Sequence, residues 1–273
     1  MIDEYGQVER PLPGGNVGGA VRVGDTVRRP TGPWTPAVHA LLRHLDGRLP
    51  HVPRVLGIDG RHRECLTYLP GRVLGDEPMT PGQITSLVTW TRQLHEATAG
   101  FWHPGPWRMF PVPGATVISH NDIAPYNACY RDGDSGDRDD CGDSGDRDDG
   151  DDRDRGDDLV GVFDWDLAGP TSPLLELGFI AWNAVPLWNC DLSAQDAARR
   201  LELIAAGYPG HDPHVILDAV PVRVRIMLDG IPVAAAAGDL GMVNLMAVGE
   251  PVRSELSLAG LVGRIPAIHR ALG

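Results

Sequence analysis

The segment VISHNDIAPYNACY, residues 117–130, sets His120, Asp122 and Asn127 in the spacing H-x-D-x-x-x-x-N between two short apolar runs. A second polar group, FDWD at 163–166, follows the strand-like LVGVF and supplies Asp164 and Asp166. Paired as strands, ACY and LVGVF would gather Asp122, Asn127, Asp164 and Asp166 at one end of a hairpin. Such a cluster suits phosphoryl transfer, where much negative charge must be neutralised and little covalent work falls to the protein. An aspartate can orient an attacking hydroxyl and accept its proton, while a carboxylate and an amide oxygen hold Mg2+ against phosphates. His120 is expected to be structural, hydrogen-bonded within the loop. Asp166 stays open between a metal ligand and a residue that fixes the loop.

These groups need a frame to hold them. VRVGDTVRR, residues 21–29, reads as two strands about a Gly24-Asp25 turn, with Val21, Val23, Thr26 and Arg28 on one face. Upstream, LPGGNVGGA contributes Gly14, Gly15, Gly18 and Gly19, whose backbone freedom suits close cover of a phosphate. WTPAVHALLRHLDGRL, residues 34–49, has Val38, Leu41, Leu42 and Leu45 at helical spacing, with Thr35 expected as N-cap before Pro36. PRVLGI and RECLTYL read as two further strands, and Pro70-Gly71 ends that pattern. From Thr80 the texture turns helical, first over QITSLVTWTRQLHEAT and later near 174–188, 196–207, 215–229 and 255–271. A small α+β lobe followed by a larger, mostly helical one is the economical reading.

Composition bounds the partners. Of the net charge of −13, the 14 Asp and 5 Arg of residues 131–158 carry −9, which leaves −4 for the rest of the 273 residues. A nucleic-acid surface needs a basic stripe, so that class is excluded, while a small, cationic ligand is compatible. All 24 residues counted as Lys+Arg are arginine, and a mechanism that needs lysine is excluded with them. Cys65, Cys129, Cys141 and Cys190 lie far apart without a C-x-x-C, so neither a zinc site nor a disulfide framework is indicated. No run of eighteen apolar residues occurs and the start is acidic and polar, from which a soluble, cytoplasmic protein with no membrane partner is expected. Within 131–158, DSGDRDD at 134–140 recurs at 143–149; without apolar area to offset its ordering entropy this insert is expected to be a disordered acidic loop without specific metal binding.

The H-x-D-x-x-x-x-N spacing is that of the protein-kinase catalytic loop. Together with FDWD it makes the chain resemble the aminoglycoside phosphotransferase family, small-molecule kinases with a protein-kinase-like two-lobed fold. SHNDIAPYN is similar to the family's H-G-D-x-x-x-x-N, and GVFDWDLAGPTSPLLELG to its stretch beginning I-D-W-E. TVRRP, AVHALLRHL, VPRVLGI, LTYLPG and RQLHEA echo the remaining elements more weakly. The resemblance implies an α+β fold with a nucleotide-binding lobe over 1–69 and a catalytic and substrate lobe over 70–273. It implies ATP and Mg2+ as cofactors and a small-molecule hydroxyl as acceptor; the oligomeric state stays open. Asp122 is then the catalytic base, and Asn127 and Asp164 are the metal ligands. Arg28 contacts the phosphates, Gly14, Gly15, Gly18 and Gly19 cover them, and backbone groups of Thr67, Tyr68 and Leu69 meet adenine. Four positions depart from the pattern. Arg28 replaces a lysine, His39 takes the place of a helix glutamate so that its ion pair is missing, Asn121 replaces a glycine, and Ser172 replaces an aspartate. The alternative that these departures support is a nucleotide-binding pseudokinase acting as a regulatory or binding module.

Overall fold

The computed structural model describes residues 8–12, 19–75, 77–110, 112, 114–131 and 155–273. The repeats of the acidic insert, together with Cys141 and Gly14, Gly15 and Gly18, lie outside the described residues. In the first lobe, β1 (Arg10–Pro11), β2 (Val21–Val23), β3 (Thr26–Pro30), β4 (Val55–Ile58) and β5 (Arg63–Thr67) form an antiparallel sheet in the order β1-β2-β3-β5-β4. The β2–β3 hairpin turns at Gly24-Asp25, with Val21 opposite Arg28 and Val23 opposite Thr26, the register its sequence predicts. Gly24 sits at φ 57°, a value that a residue with a Cβ rarely adopts.

Helix α1 (Thr35–Leu45) follows β3 and packs against β4. Its N-cap is Trp34, with Pro36 in the first turn, so Thr35 is the first helical residue and the helix begins one residue earlier than expected. Ala37, Val38, Leu41, Leu42 and Leu45 are buried along one stripe, as the helical period demands.

After β6 (Arg72–Val73), α2 (Pro81–Ala97) begins with a capping box: Thr80 accepts from the Gln83 N–H and the Gln83 side chain accepts from the Thr80 N–H. Then come β7 (Val117–Ser119), β8 (Ala128–Tyr130), β9 (Leu159–Val162) and β10 (Gly169–Thr171), followed by five helices: α3 (Pro173–Ala184), α4 (Ala194–Gly207), α5 (Pro213–Ala236), α6 (Leu240–Ala247) and α7 (Val252–Leu272). Ser172, where an aspartate was the pattern, caps α3 by accepting from the Leu175 N–H, a task for which either residue serves. Strands β8 and β9 pair with Ala128 opposite Val162, and the Arg131 N–H donates to the Asp158 carbonyl at 2.9 Å. The chain that leaves β8 into the acidic segment therefore returns where it left. Helix α6 carries no separate signal in the sequence. Its eight residues are largely apolar and many are exposed, so they show no clean amphipathic period.

One hydrophobic core runs from Val38, Leu41 and Leu66 through Leu87, Trp90, Ile123 and Trp165 to Leu201, Val224 and Leu261. Both lobes share it. Among the described residues no single helix is long and apolar enough to cross a membrane.

His95 is buried in that core, its Nδ1 2.9 Å from the Tyr208 hydroxyl and its Nε2 2.8 Å from Ser119 Oγ. Burial first, and then the charge of His211, pushes the imidazole down to about 4. The ring therefore stays neutral in the fold while the unfolded chain protonates it near 6.5. Its contribution is complete above pH 6.5 and is lost as pH falls toward 4, with roughly 2 kcal/mol gone by pH 5. Urea unfolding of wild type and His95→Gln at pH 7 and pH 5 checks this. The variant should lose less between the two pH values, and an equal loss would refute the assignment.

Candidate active site

The loop after β7 is fixed from three sides. His120 donates from Nε2 to the Phe163 carbonyl at 2.9 Å and stands edge-on to Trp165, with 4.7 Å between ring centroids. Burial holds its ring down to about 4, so a neutral structural histidine occupies that position. Asn121 adopts φ 63°, in the left-handed region that asparagine tolerates better than most residues, which answers for the glycine it replaces. Its Nδ2 donates to the Gly169 carbonyl at 3.0 Å and its backbone N–H to both Glu176 oxygens at 3.1 Å.

This turn presents Asp122. One carboxylate oxygen accepts from the Tyr126 hydroxyl at 3.2 Å, the other from Asn127 Nδ2 at 2.8 Å. Burial, and next the charge of Asp164, push the carboxyl up to about 7, against the two hydrogen bonds and Arg223. A base poised there can take a proton from a hydroxyl near neutral pH. Asn127 also donates Nδ2 to the Asp122 carbonyl at 2.9 Å, which leaves its Oδ1 as the oxygen to offer a cation.

The β8–β9 pairing carries Phe163 to Asn127, whose carbonyl accepts the Phe163 N–H at 3.0 Å, and so delivers Asp164 beside the loop. Asp164 is itself left-handed, at φ 62°. Strain of this kind is tolerated where the surroundings over-determine a side chain's aim. Burial pushes its carboxyl up, but the charge and hydrogen bond of Arg29 outweigh that and hold it below the usual range. Asn127 Oδ1 and the Asp164 carboxylate are hard oxygen donors, the set that Mg2+ uses when it keeps substrate phosphates as its other ligands. Among the described residues no group of three or more His, Cys, Asp or Glu side chains is arranged to hold a metal by itself.

The basic partner of this site is Arg29. Its Nη1 donates to Asp164 at 2.8 Å, its Nη2 to Asp166, and its Nε pairs with Glu64 at 2.7 Å. Arg28, expected in that place, lies on the opposite face of β3, with Nη1 4.0 Å from Asp59. Alternate residues of a strand face opposite ways, so the correct register of the hairpin still left two candidates, and only the packing of the sheet decides between them. The acidic partner thought missing from α1 is present too. It is Glu64 on β5, opposite Arg29 in the sheet, and His39 of α1 bonds it at 2.8 Å.

No family model matches the chain. It is 30% identical over 216 residues to the trifolitoxin immunity protein of Rhizobium leguminosarum bv. trifolii, covering 76% of this chain and 72% of that one. The chain belongs to the family of that immunity protein. Its fold is the two-lobed one of the aminoglycoside phosphotransferases. The microcompartment-associated aminopropanol kinase superposes at a TM-score of 0.56 with 14% identity, covering 97% of this chain and 92% of that one. A choline/ethanolamine kinase family protein from Mesorhizobium loti does so at 0.51 with 16% identity, covering 94% and 93%. The aminoglycoside-3'-phosphotransferase of type VIII gives 0.50 with 14% identity, covering 82% and 91%.

In this member of the immunity-protein family two further arginines shape the site, and nothing in their sequence surroundings marked them. Arg108, from the loop before β7, grips Asp239 through two bonds of 2.8 and 2.7 Å, reaches Asp166 at 3.4 Å and lies over the Trp34 ring. Asp166 is thereby held between Arg29 and Arg108. Arg223, from α5, is 2% exposed and donates Nη2 to the Asn121 carbonyl at 2.6 Å. At the expected adenine position, the Thr67 and Tyr68 N–H groups donate to Arg54 and Asp25 carbonyls at 3.0 and 2.9 Å. Of the four glycines expected over the phosphates, Gly19 alone lies among the described residues, at φ 81°.

Proposed function

We propose that the chain is an ATP- and Mg2+-dependent phosphotransferase that moves the γ-phosphoryl group onto a hydroxyl of a small molecule. The observation that supports this best is Asp122, a carboxyl raised to about 7 whose two oxygens are aimed by Tyr126 and Asn127. Asp122 orients the hydroxyl and takes its proton as the oxygen attacks phosphorus. Asn127 and Asp164 hold Mg2+, which when bound neutralises the phosphate charge. Arg29 contributes a guanidinium whose planar fork matches phosphate oxygens. Transfer is direct and in line, without a phospho-enzyme. Gly19 covers the phosphates, and backbone groups from Thr67 through Tyr68 to Leu69 that are not spent on Arg54 and Asp25 meet adenine.

The relative is named for immunity to a toxin, and a phosphate added to a hydroxyl changes both the charge and the shape that a toxin presents. We therefore place toxins and antibiotics that carry a hydroxyl first among the acceptors. The pseudokinase alternative drew on a missing acidic partner and an altered loop. The pairing of Glu64 with Arg29 and the left-handed conformation of Asn121 favour the enzyme over it. ATP consumption over a panel of hydroxylated toxins, antibiotics, amines and sugars, followed by mass spectrometry, tests the reading. A product heavier by one phosphoryl group is expected. Mg-ATP binding with no product across the panel would favour the pseudokinase.

A further inference from the structure

Arg29 is held by three carboxylates, and the three are not equivalent. Asp164 and Asp166 take the two terminal nitrogens, and both residues belong to the loop beside Asp122. Glu64 takes Nε, from within the first lobe, and is 3% exposed. Its second oxygen is 2.8 Å from His39 Nε2, and His39 is 5% exposed on α1. Helix α1 in turn contacts the short turn Trp165–Leu167 that follows Asp164. A chain of contacts therefore runs from the helix through His39 and Glu64 to the guanidinium and back to the same helix.

The consequence appears when phosphates and a cation compete for this place. Arg29 Nη1 takes one oxygen of Asp164, and phosphate oxygens that enter beside a cation compete with the aspartates for the two terminal nitrogens. Glu64 is the carboxylate on the first lobe that bonds the guanidinium among the described residues. With Glu64 the Nε bond persists while Nη1 and Nη2 are exchanged for phosphate oxygens.

We propose that Glu64 and His39 are positioning residues for Arg29: Glu64 anchors its Nε, and His39 fixes Glu64 to α1, so that the helix sets where the two terminal nitrogens point. This rests on the phosphotransferase reading. It deepens that reading by giving β5 and α1 a part in nucleotide binding that neither motif of the catalytic loop contains.

Glu64→Gln keeps the shape and removes the charge. His39→Leu removes the bond to Glu64, and His39→Gln restores a donor at that place. For Glu64→Gln, Mg-ATP binding measured by calorimetry should weaken about tenfold and the KM for ATP should rise in step, while the acceptor KM stays unchanged. His39→Leu should weaken Mg-ATP binding roughly threefold, and His39→Gln should bind close to wild type. Should His39→Leu not fold, the Glu64→Gln and His39→Gln results decide. Glu64→Gln binding Mg-ATP as tightly as wild type, or raising the acceptor KM as much as the ATP KM, overturns this inference and leaves the phosphotransferase reading standing. A wild-type chain that binds no Mg-ATP overturns both.

Discussion

Replacing Asp122 with alanine is expected to lower turnover by roughly a thousandfold, within the range that a positioned general base contributes, while Mg-ATP binding changes little. The expectation rests on how the carboxylate is held. Tyr126 and Asn127 fix its two oxygens, and the loop that carries it is itself tied to Gly169, Phe163 and Glu176. Such a group has little freedom to be replaced by a neighbour. Asp164 is the nearest other carboxylate in charge terms, but Arg29 occupies it and holds it below the usual range. Asp122→Asn is the stricter variant, because it keeps the shape and cannot accept the proton. Measured as ADP formed with an active acceptor, turnover within a few-fold of wild type in both variants would remove Asp122 from the base role.

The second large effect is on stability. Glu176 is fully buried on α3 and accepts the Asn121 N–H, and burial pushes its carboxyl up to about 7. The charge that most opposes this shift is that of Arg223, itself buried on α5 over the Phe179 ring. Burial in turn lowers the guanidinium below its ordinary value, against the pull of Glu176 and Asp122. Removing Arg223 leaves the buried Glu176 without the charge that opposes its desolvation and the Asn121 carbonyl without its donor, which costs about 3 kcal/mol. Arg223→Met should lose that much and unfold on the order of 10 °C lower.

The pH dependence gives a sharper test of the same pair. Glu176 has a folded value above its unfolded 4.5, so its contribution is present at low pH and lost as pH rises toward 7. Without Arg223 the folded value rises further, and the loss continues above pH 7. The deficit of Arg223→Met should therefore be smallest near pH 5 and largest near pH 8. Glu176→Gln in the same chain should recover part of it, since the two effects share one interaction. A deficit under about 1 kcal/mol at pH 8 by urea unfolding, or one that shrinks as pH rises, would show that Arg223 is not the compensating charge.

The site pairs its arginine with an acidic residue that the sequence pattern did not point to. A histidine stands on the helix where the resemblance called for glutamate, and from sequence that reads as a broken ion pair. In the fold, Glu64 reaches the guanidinium of Arg29 from the neighbouring strand, and the histidine bonds Glu64. Cross-strand neighbours such as Arg29 and Glu64 lie close only because β3 and β5 pair antiparallel, and 34 positions of intervening sequence conceal it.

The sequence by itself determined which groups the candidate site contains and the local frame around them. The spacing from His120 to Asn127, the partner FDWD beyond the acidic segment, the Gly24-Asp25 hairpin and the helix after Thr80 are all local patterns, and local patterns survive without knowledge of the fold. Even the hairpin register could be read, because turn length fixes it. What only the tertiary structure decided is which face of β3 looks toward the catalytic loop, and hence Arg29 in place of Arg28. It likewise decided the recruitment of Glu64, Arg108 and Arg223 from three distant elements. A strand offers two faces of equal local standing, and a long arginine reaches whatever carboxylate packing brings near. Those choices depend on how the sheet, α1 and α5 close around one core, and no window of the sequence contains all three.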